Sequence, residues 1–172
     1  MISFRMHSLE EKANIITHAM GLILSLGAIY LLHTSSNNSG DELRKISFSI
    51  YSFSVVFLFA SSTCYHAVNS IRLKRVLQIV DHIAIYFLIA GTYTPFLMIP
   101  LRGNWGWSLL IIIWTMAIAG SVLKLWYAGK YQRISTAVYL GMGWLAVVAV
   151  KPMIESVPLG GLVWLVTGGL CY

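Results

Sequence analysis

The spacing of charged residues restricts this chain more than any other feature. No Asp, Glu, Lys or Arg occurs between Lys12 and Asp41, between Lys45 and Arg72, or between Arg102 and Lys124, and the interval from Arg75 to Arg102 contains only Asp81. Each interval can supply the roughly 20 apolar residues that a helix needs to cross a hydrocarbon core of about 30 Å. Only 10% of the 172 residues are charged and 58% are hydrophobic, whereas roughly a quarter are charged in soluble domains. The expected class is all-α: a polytopic transmembrane helical bundle forming a single membrane domain over residues 1–172.

Six hydrophobic segments are predicted, at 15–32, 46–67, 79–99, 107–126, 136–150 and 159–172. Short loops make consecutive helices antiparallel neighbours, and the longest, "HTSSNNSGDELRK", carries Asn, Ser and Gly turn chemistry. Arg5, Lys12, Arg72, Lys74, Arg75, Lys124, Lys130 and Arg133 fall on one side, against Arg44, Lys45, Arg102 and Lys151 on the other. The positive-inside rule then puts the N-terminus in the cytoplasm of a multi-pass cell-membrane protein. Trp105, Trp107, Trp126 and Tyr127 sit at segment ends, where aromatic belts form. The net charge of +6 is scattered through short loops, which excludes a nucleic-acid face. Cys64 and Cys171 read as small core residues, not as a disulfide pair. The first apolar run is too long for a cleavable signal peptide. The last one, "GGLVWLVTGGLCY", stops without a polar exit, so the sequence reads as truncated within that helix.

With this topology, polar groups gather at the cytoplasmic ends of the first three helices. Glu11, Asn14 and His18 share one face of the first helix at spacings i, i+3 and i+7, and Ser62 and His66 share a face of the second at i, i+4. Asp81 falls about one turn inside the third, which sets it at the depth of His66. An ionisable side chain inside a membrane span costs about 2.5–3.5 kcal/mol at the helix centre and faces the bundle interior or a water-filled cavity. Each residue also has a plainer reading. Asp81 could be a helix cap, His66 an interhelical hydrogen-bonder, and Glu11 a helix-start residue. Their coincidence at one depth favours a common site.

Imidazole suits zinc, and a catalytic zinc keeps three protein ligands and an open position for water. His66 would be one ligand, Asp81 the group that orients or deprotonates the water, and Ser62 a hydrogen-bond donor to water or a substrate carbonyl. His18 and His82 lie on the correct side, but His82 points about 100° away from Asp81. Cys64 falls on nearly the opposite face from His66, while His7 and His33 lie too far from the cluster. Spacing alone completes no ligand set.

The stretches "EEKANIITHAMG", "SSTCYHA" and "DHIAIYFLIAGTYTPF" resemble the hemolysin III family, the bacterial branch of the progestin and adiponectin receptor superfamily, and the pattern of helices and short loops is similar across the chain. The resemblance implies a seven-helix fold with an intramembrane zinc on the cytoplasmic side. It implies His66 as a ligand, Asp81 beside the metal-bound water and Ser62 in the polar shell, with two further ligands from a His-x-x-x-His pair on a seventh helix missing from this sequence. It also suggests amide hydrolysis of ceramide-like lipids, membrane-lipid homeostasis and haemolysis.

Two functional classes follow. One is a zinc-dependent hydrolase-like protein that acts on or senses membrane lipids, with Glu11, Asn14 and His18 supporting the site. The other is a non-enzymatic protein, either a pore-forming haemolysin or a sensor of membrane state. A pore calls for a polar stripe along several helices, and here the polar residues concentrate at one end. Membrane lipids are the expected partners, nucleic acid is not, and a homo-oligomer is left open. Gly21, Gly91, Gly120, Gly141 and Gly143 are expected to permit close helix approach, and Gly91 with Thr92, Thr94 and Pro95 to bend the third helix. A reporter fused after Lys12 or Arg75 should stay on the cytoplasmic side in cells; a reporter found outside reverses the topology.

Overall fold

The long apolar intervals form helices whose starts are set by polar caps. In the computed structural model, which describes residues 8–126 and 132–171, the Ser8 hydroxyl accepts from the Glu11 amide at 3.2 Å and opens α1, Leu9–Asn37. The Asp41 carboxylate accepts from the Leu43 amide at 3.0 Å and opens α2, Glu42–Ala67. Both caps satisfy amides that have no carbonyl partner in the first helical turn. Helices α3, Ile71–Met98, and α4, Asn104–Trp126, follow, then α5, Gln132–Val148, α6, Val150–Ser156, and α7, Leu159–Cys171. There is no strand among the described residues, in agreement with the all-α class. Arg5, His7, Tyr127, Lys130 and Tyr172 lie outside the described residues, as do the side chains of Arg133 and Cys171.

Helices α1 to α4 are each long and apolar enough to cross a membrane. The fifth predicted segment is not one straight helix: α5 and α6 meet at a 54° bend and together could make a fifth span. Helix α7 has 13 residues, a length of about 20 Å, less than the hydrocarbon core.

A side chain from α3 enters the backbone of α5 one turn before that bend. The Tyr93 hydroxyl accepts from the Ala146 amide at 2.8 Å and lies 2.9 Å from the Met142 carbonyl and 2.8 Å from the Gly143 carbonyl, to which it donates. It occupies the place where the Ala146 amide would bond directly to Met142, and an insertion of this kind bends a helix. The chain then tightens, with the Ala149 amide donating to Ala146 at 3.0 Å.

Close packing fixes how the helices align. Phe59 fills the space a Cβ would need at Gly21, Ser54 does so at Gly91, and Tyr86 at Gly120. Phe57 meets Phe87 edge-on at 5.8 Å, and the Trp114 indole donates to Thr94 at 3.1 Å. By contrast, nothing lies within 4 Å of a Cβ built at Gly141 or Gly143, so those two do not mediate close approach. The core centres on Tyr86, Ala90, Ile113, Ala117 and Met142. Helix α3 continues through Pro95 to Met98, with the Thr94 hydroxyl donating to Ala90 at 2.8 Å.

Two further sequence-based expectations change. Helix α3 begins at Ile71, not near residue 79, so Arg72, Lys74 and Arg75 are helical, as suits the helix propensity of Lys and Arg. Cys64 is exposed on the outside of α2 and is not a core residue, because a two-residue step turns it away from the buried face of Ser62 and His66. At the opposite end of the bundle, Arg102 pairs with Asp41 at 2.7 Å and ties the α1–α2 link to the α3–α4 link. Partial desolvation pushes the Asp41 carboxyl up, but hydrogen bonds from Arg102 and the α2 amides more than offset it, and the net direction is down.

Tyr93→Phe should leave the Ala146 amide and a facing carbonyl unpaired in an apolar setting, at a cost of about 1–3 kcal/mol. A lower thermal midpoint in detergent is the expected result.

Candidate functional site at the Glu11 and His66 cluster

Glu11 is the third residue of α1, the position from which a glutamate usually reaches back to its cap amide. Here its carboxylate turns to two other helices. One oxygen accepts from Lys74 Nζ of α3 at 2.6 Å, and the other lies 2.7 Å from His66 Nδ1 of α2. The Lys74 ammonium also sits over the Tyr65 ring, 5.3 Å from its centroid, where a cation is attracted to the π face. His18 of α1 stacks on His66 with centroids 5.7 Å apart and planes 9° from parallel, and its buried Nδ1 has no hydrogen-bond partner. Glu11 and both of its partners are partly buried, which weakens screening and strengthens the pairs relative to fully exposed ones.

The hydrogen bond fixes the identity of the His66 nitrogens. An ionised carboxylate can only accept, so Nδ1 carries the hydrogen and donates it. In the neutral ring Nε2 then holds the lone pair. A carboxylate behind an imidazole is the usual outer-shell partner of a histidine ligand, because it sets the tautomer and raises the basicity of the other nitrogen.

The other expected residues lie nearby in different roles. Ser62 is buried, one turn before His66 on α2. Asn14 lies between Glu11 and His18 on the same face of α1. The Ser54–Gly91 and Phe57–Phe87 contacts set the α2–α3 register, which carries His66 to the turn of α3 around Ile79, two residues from Asp81. Asp81 also shares the Lys74 face of α3, offset by about 20° over seven residues. Its position ten residues past Ile71 excludes a capping role. Among the described residues, however, the carboxylate that pairs with His66 is that of Glu11 and not that of Asp81. His82 turns elsewhere: its Nδ1 donates to the Gln78 carbonyl at 2.7 Å. Lys74 was the residue that spacing missed. Placed in a loop, it had no face; once α3 is extended to Ile71, it stands one heptad from Asp81.

The residues present fit zinc in part. His66 offers one oriented nitrogen, but no group of three or more His, Cys, Asp or Glu among the described residues could hold a metal ion. A zinc site needs more ligands than this cluster supplies.

A bundle of apolar helices with an ionic cluster at one end defines a multi-pass membrane protein. Residues 6–172 match the Haemolysin-III related family, and the chain belongs to it. It is 44% identical over 163 residues to the "Hemolysin-3 homolog" of Bacillus subtilis (strain 168), covering 95% of this chain and 76% of that protein. It is 43% identical over 163 residues to "Hemolysin-3" of Bacillus cereus, covering 95% of this chain and 74% of that protein. A human protein, "Monocyte to macrophage differentiation factor", is 31% identical over 172 residues, covering 95% and 68%, and supports the link to the receptor superfamily. No solved structure matches the chain.

If the carboxylate couples the helices, a double-mutant cycle of Glu11→Gln and Lys74→Met should give a coupling of about 0.5–1 kcal/mol. Unfolding of the four proteins in one detergent measures it, and additive effects would remove the pair from the site.

Proposed function

We propose that this chain works on membrane lipid at the Glu11, His66 and Lys74 cluster, close to the cytoplasmic headgroups, and that it hydrolyses a ceramide-like amide or senses such a lipid. One observation carries the reading: a carboxylate at the end of an apolar bundle is held 2.6 Å from a lysine and 2.7 Å from an imidazole. An amphiphile in the cytoplasmic leaflet presents its polar bonds at that depth while its tails stay in the hydrocarbon. Exposed apolar side chains on α1, such as Ile16, Met20 and Leu24, suit those tails.

In the hydrolytic form of this proposal, Asp81 accepts a proton from the water that attacks the amide carbonyl and returns it to the amide nitrogen as the C–N bond breaks, so that a fatty acid and a free amine leave. The Ser62 hydroxyl donates to the carbonyl oxygen as negative charge develops there. Zinc enters only as a ligand assignment to His66, whose remaining co-ligands would have to come from beyond the described residues, and no chemical step depends on it.

A second reading is cytolysis, which the name of the Bacillus cereus relative favours. Along α2, three of the five buried serines argue against a water-filled lane. Ser47, Ser54 and Ser61 donate back to carbonyls of their own helix at 3.0, 2.7 and 3.0 Å, so these hydroxyls are already satisfied.

Purified full chain in liposomes containing ceramide tests the first reading. Wild type should release fatty acid, and Asp81→Asn should lose at least about 10²-fold in rate while remaining folded. Metal analysis should find less zinc in His66→Ala than in wild type, and equal zinc would reject ligation by His66. Lysis of erythrocytes at the wild-type rate by both variants, without ceramide turnover in any protein, would favour cytolysis.

A further inference from the structure

We propose that the α5–α6 junction is a hinge whose angle follows the thickness of the bilayer, with the Tyr93 hydroxyl as the latch of its bent state. The inference rests on the chain lying in a membrane and not on lipid chemistry at Glu11.

Two features make the junction a hinge and not a fixed corner. Pro152, the third residue of α6, has no amide to give the Val148 carbonyl, and in a continuous helix its ring would crowd that carbonyl. The two helices therefore cannot fuse into one regular rod, while the angle between them stays open to adjustment. The second feature is Tyr93, which holds the Ala146 amide at 2.8 Å and keeps it from the Met142 carbonyl one turn before the 54° bend. There is also room to move. Val147, Val148 and Val150 are exposed around the junction, and nothing lies within 4 Å of a Cβ built at Gly143.

The bent state sets the depth of α6. Met153 and Val157 are buried in the cluster that holds Leu97, Leu101 and Leu109, at the end of the bundle where Arg102 pairs with Asp41. Lys151 and Glu155 are exposed on the opposite side of α6, and their charges belong at headgroup depth. In a thicker bilayer the headgroup plane withdraws from the bend, and α6 keeps its charges there by swinging towards the axis of α5. Seven residues make α6 about 10 Å long; at 54° it rises about 6 Å along that axis, so full opening gains about 4 Å. Natural membranes differ in hydrocarbon thickness by about 5 Å, so the two lengths match. Little else opposes the movement. Met153 and Val157 exchange protein for acyl tails that are equally apolar, and the Ala146 amide recovers the Met142 carbonyl. The hydrogen bonds of the Tyr93 hydroxyl are what opening must break.

The test is the distance between spin labels at Ile118→Cys on α4 and Ile154→Cys on α6, both exposed positions, with Cys64 and Cys171 changed to serine. The full chain is reconstituted in phosphatidylcholine with myristoleoyl, oleoyl or erucoyl chains, and the distance is read by pulsed dipolar spectroscopy. The distance should lengthen from the shortest chains to the longest, by up to about 4 Å. Tyr93→Phe should show the long distance already in the thinnest bilayer, because the bent form then leaves the Ala146 amide without an acceptor. An unchanged or shortened wild-type distance across the series would overturn the hinge, a comparison that needs no change at Tyr93. A Tyr93→Phe distance equal to wild type in every bilayer would overturn the latch. The readout involves neither turnover nor His66, so its failure and a failure of ceramide hydrolysis are told apart.

Discussion

The carboxylate of Glu11 is the point on which the arrangement of the first three helices depends. Helix α1 packs on α2 and makes no backbone packing contact with α3. The link from α1 to α3 is therefore ionic, running from Glu11 to Lys74, and the same carboxylate engages His66 of α2. In lipid, apolar packing gives little preference among helix partners, because the tails are as apolar as the side chains. A charged group with two dedicated partners supplies the specificity that packing lacks. It costs more to leave unpaired than any apolar contact in α1, so it fixes the rotation of the helix as well as its neighbour.

That arrangement also explains how a residue of the first turn of α1 comes to join an ionic cluster across three helices. The Ser8 hydroxyl caps α1 without help from Glu11, taking the Glu11 amide at 3.2 Å. The glutamate side chain is thereby free for longer-range work. Its hydrogen bond to His66 sets the ring's tautomer, and the parallel His18 ring lies against the imidazole. Orientation of one imidazole is thus complete within three helices, even though a full metal-ligand set is not.

Much of this was readable from the sequence, for identifiable reasons. Charge-free intervals are long, and length alone distinguishes a span, so α1 to α4 were evident. The faces holding Glu11, Asn14 and His18, and Ser62 and His66, follow from helical periodicity within one segment. The start of α3 was not evident, because Arg72, Lys74 and Arg75 look like loop charges until their helix is known to extend past the end of α2. Pairing of His66 with Glu11 rather than Asp81 depends on side-chain direction across helices, which spacing along one chain does not encode. The break in α5 was hidden for the same reason: its cause, Tyr93, is a residue of another helix. Cys64 was misread because composition marks a small apolar residue as interior, whereas in lipid the exterior is apolar too.

Tyr93 has a consequence for how the chain is made. The hydrogen-bond ladder of α5 is completed by a phenol from α3, at 2.8 Å from the Ala146 amide. While α5 is alone in the hydrocarbon, it can close its own ladder as a regular helix; the bent form becomes favourable only when α3 arrives beside it. The order of synthesis suits this, since α3 leaves the ribosome well before α5 and can wait in the membrane as a template. Assembly of the C-terminal half is in this sense a remodelling of an inserted helix by an earlier one.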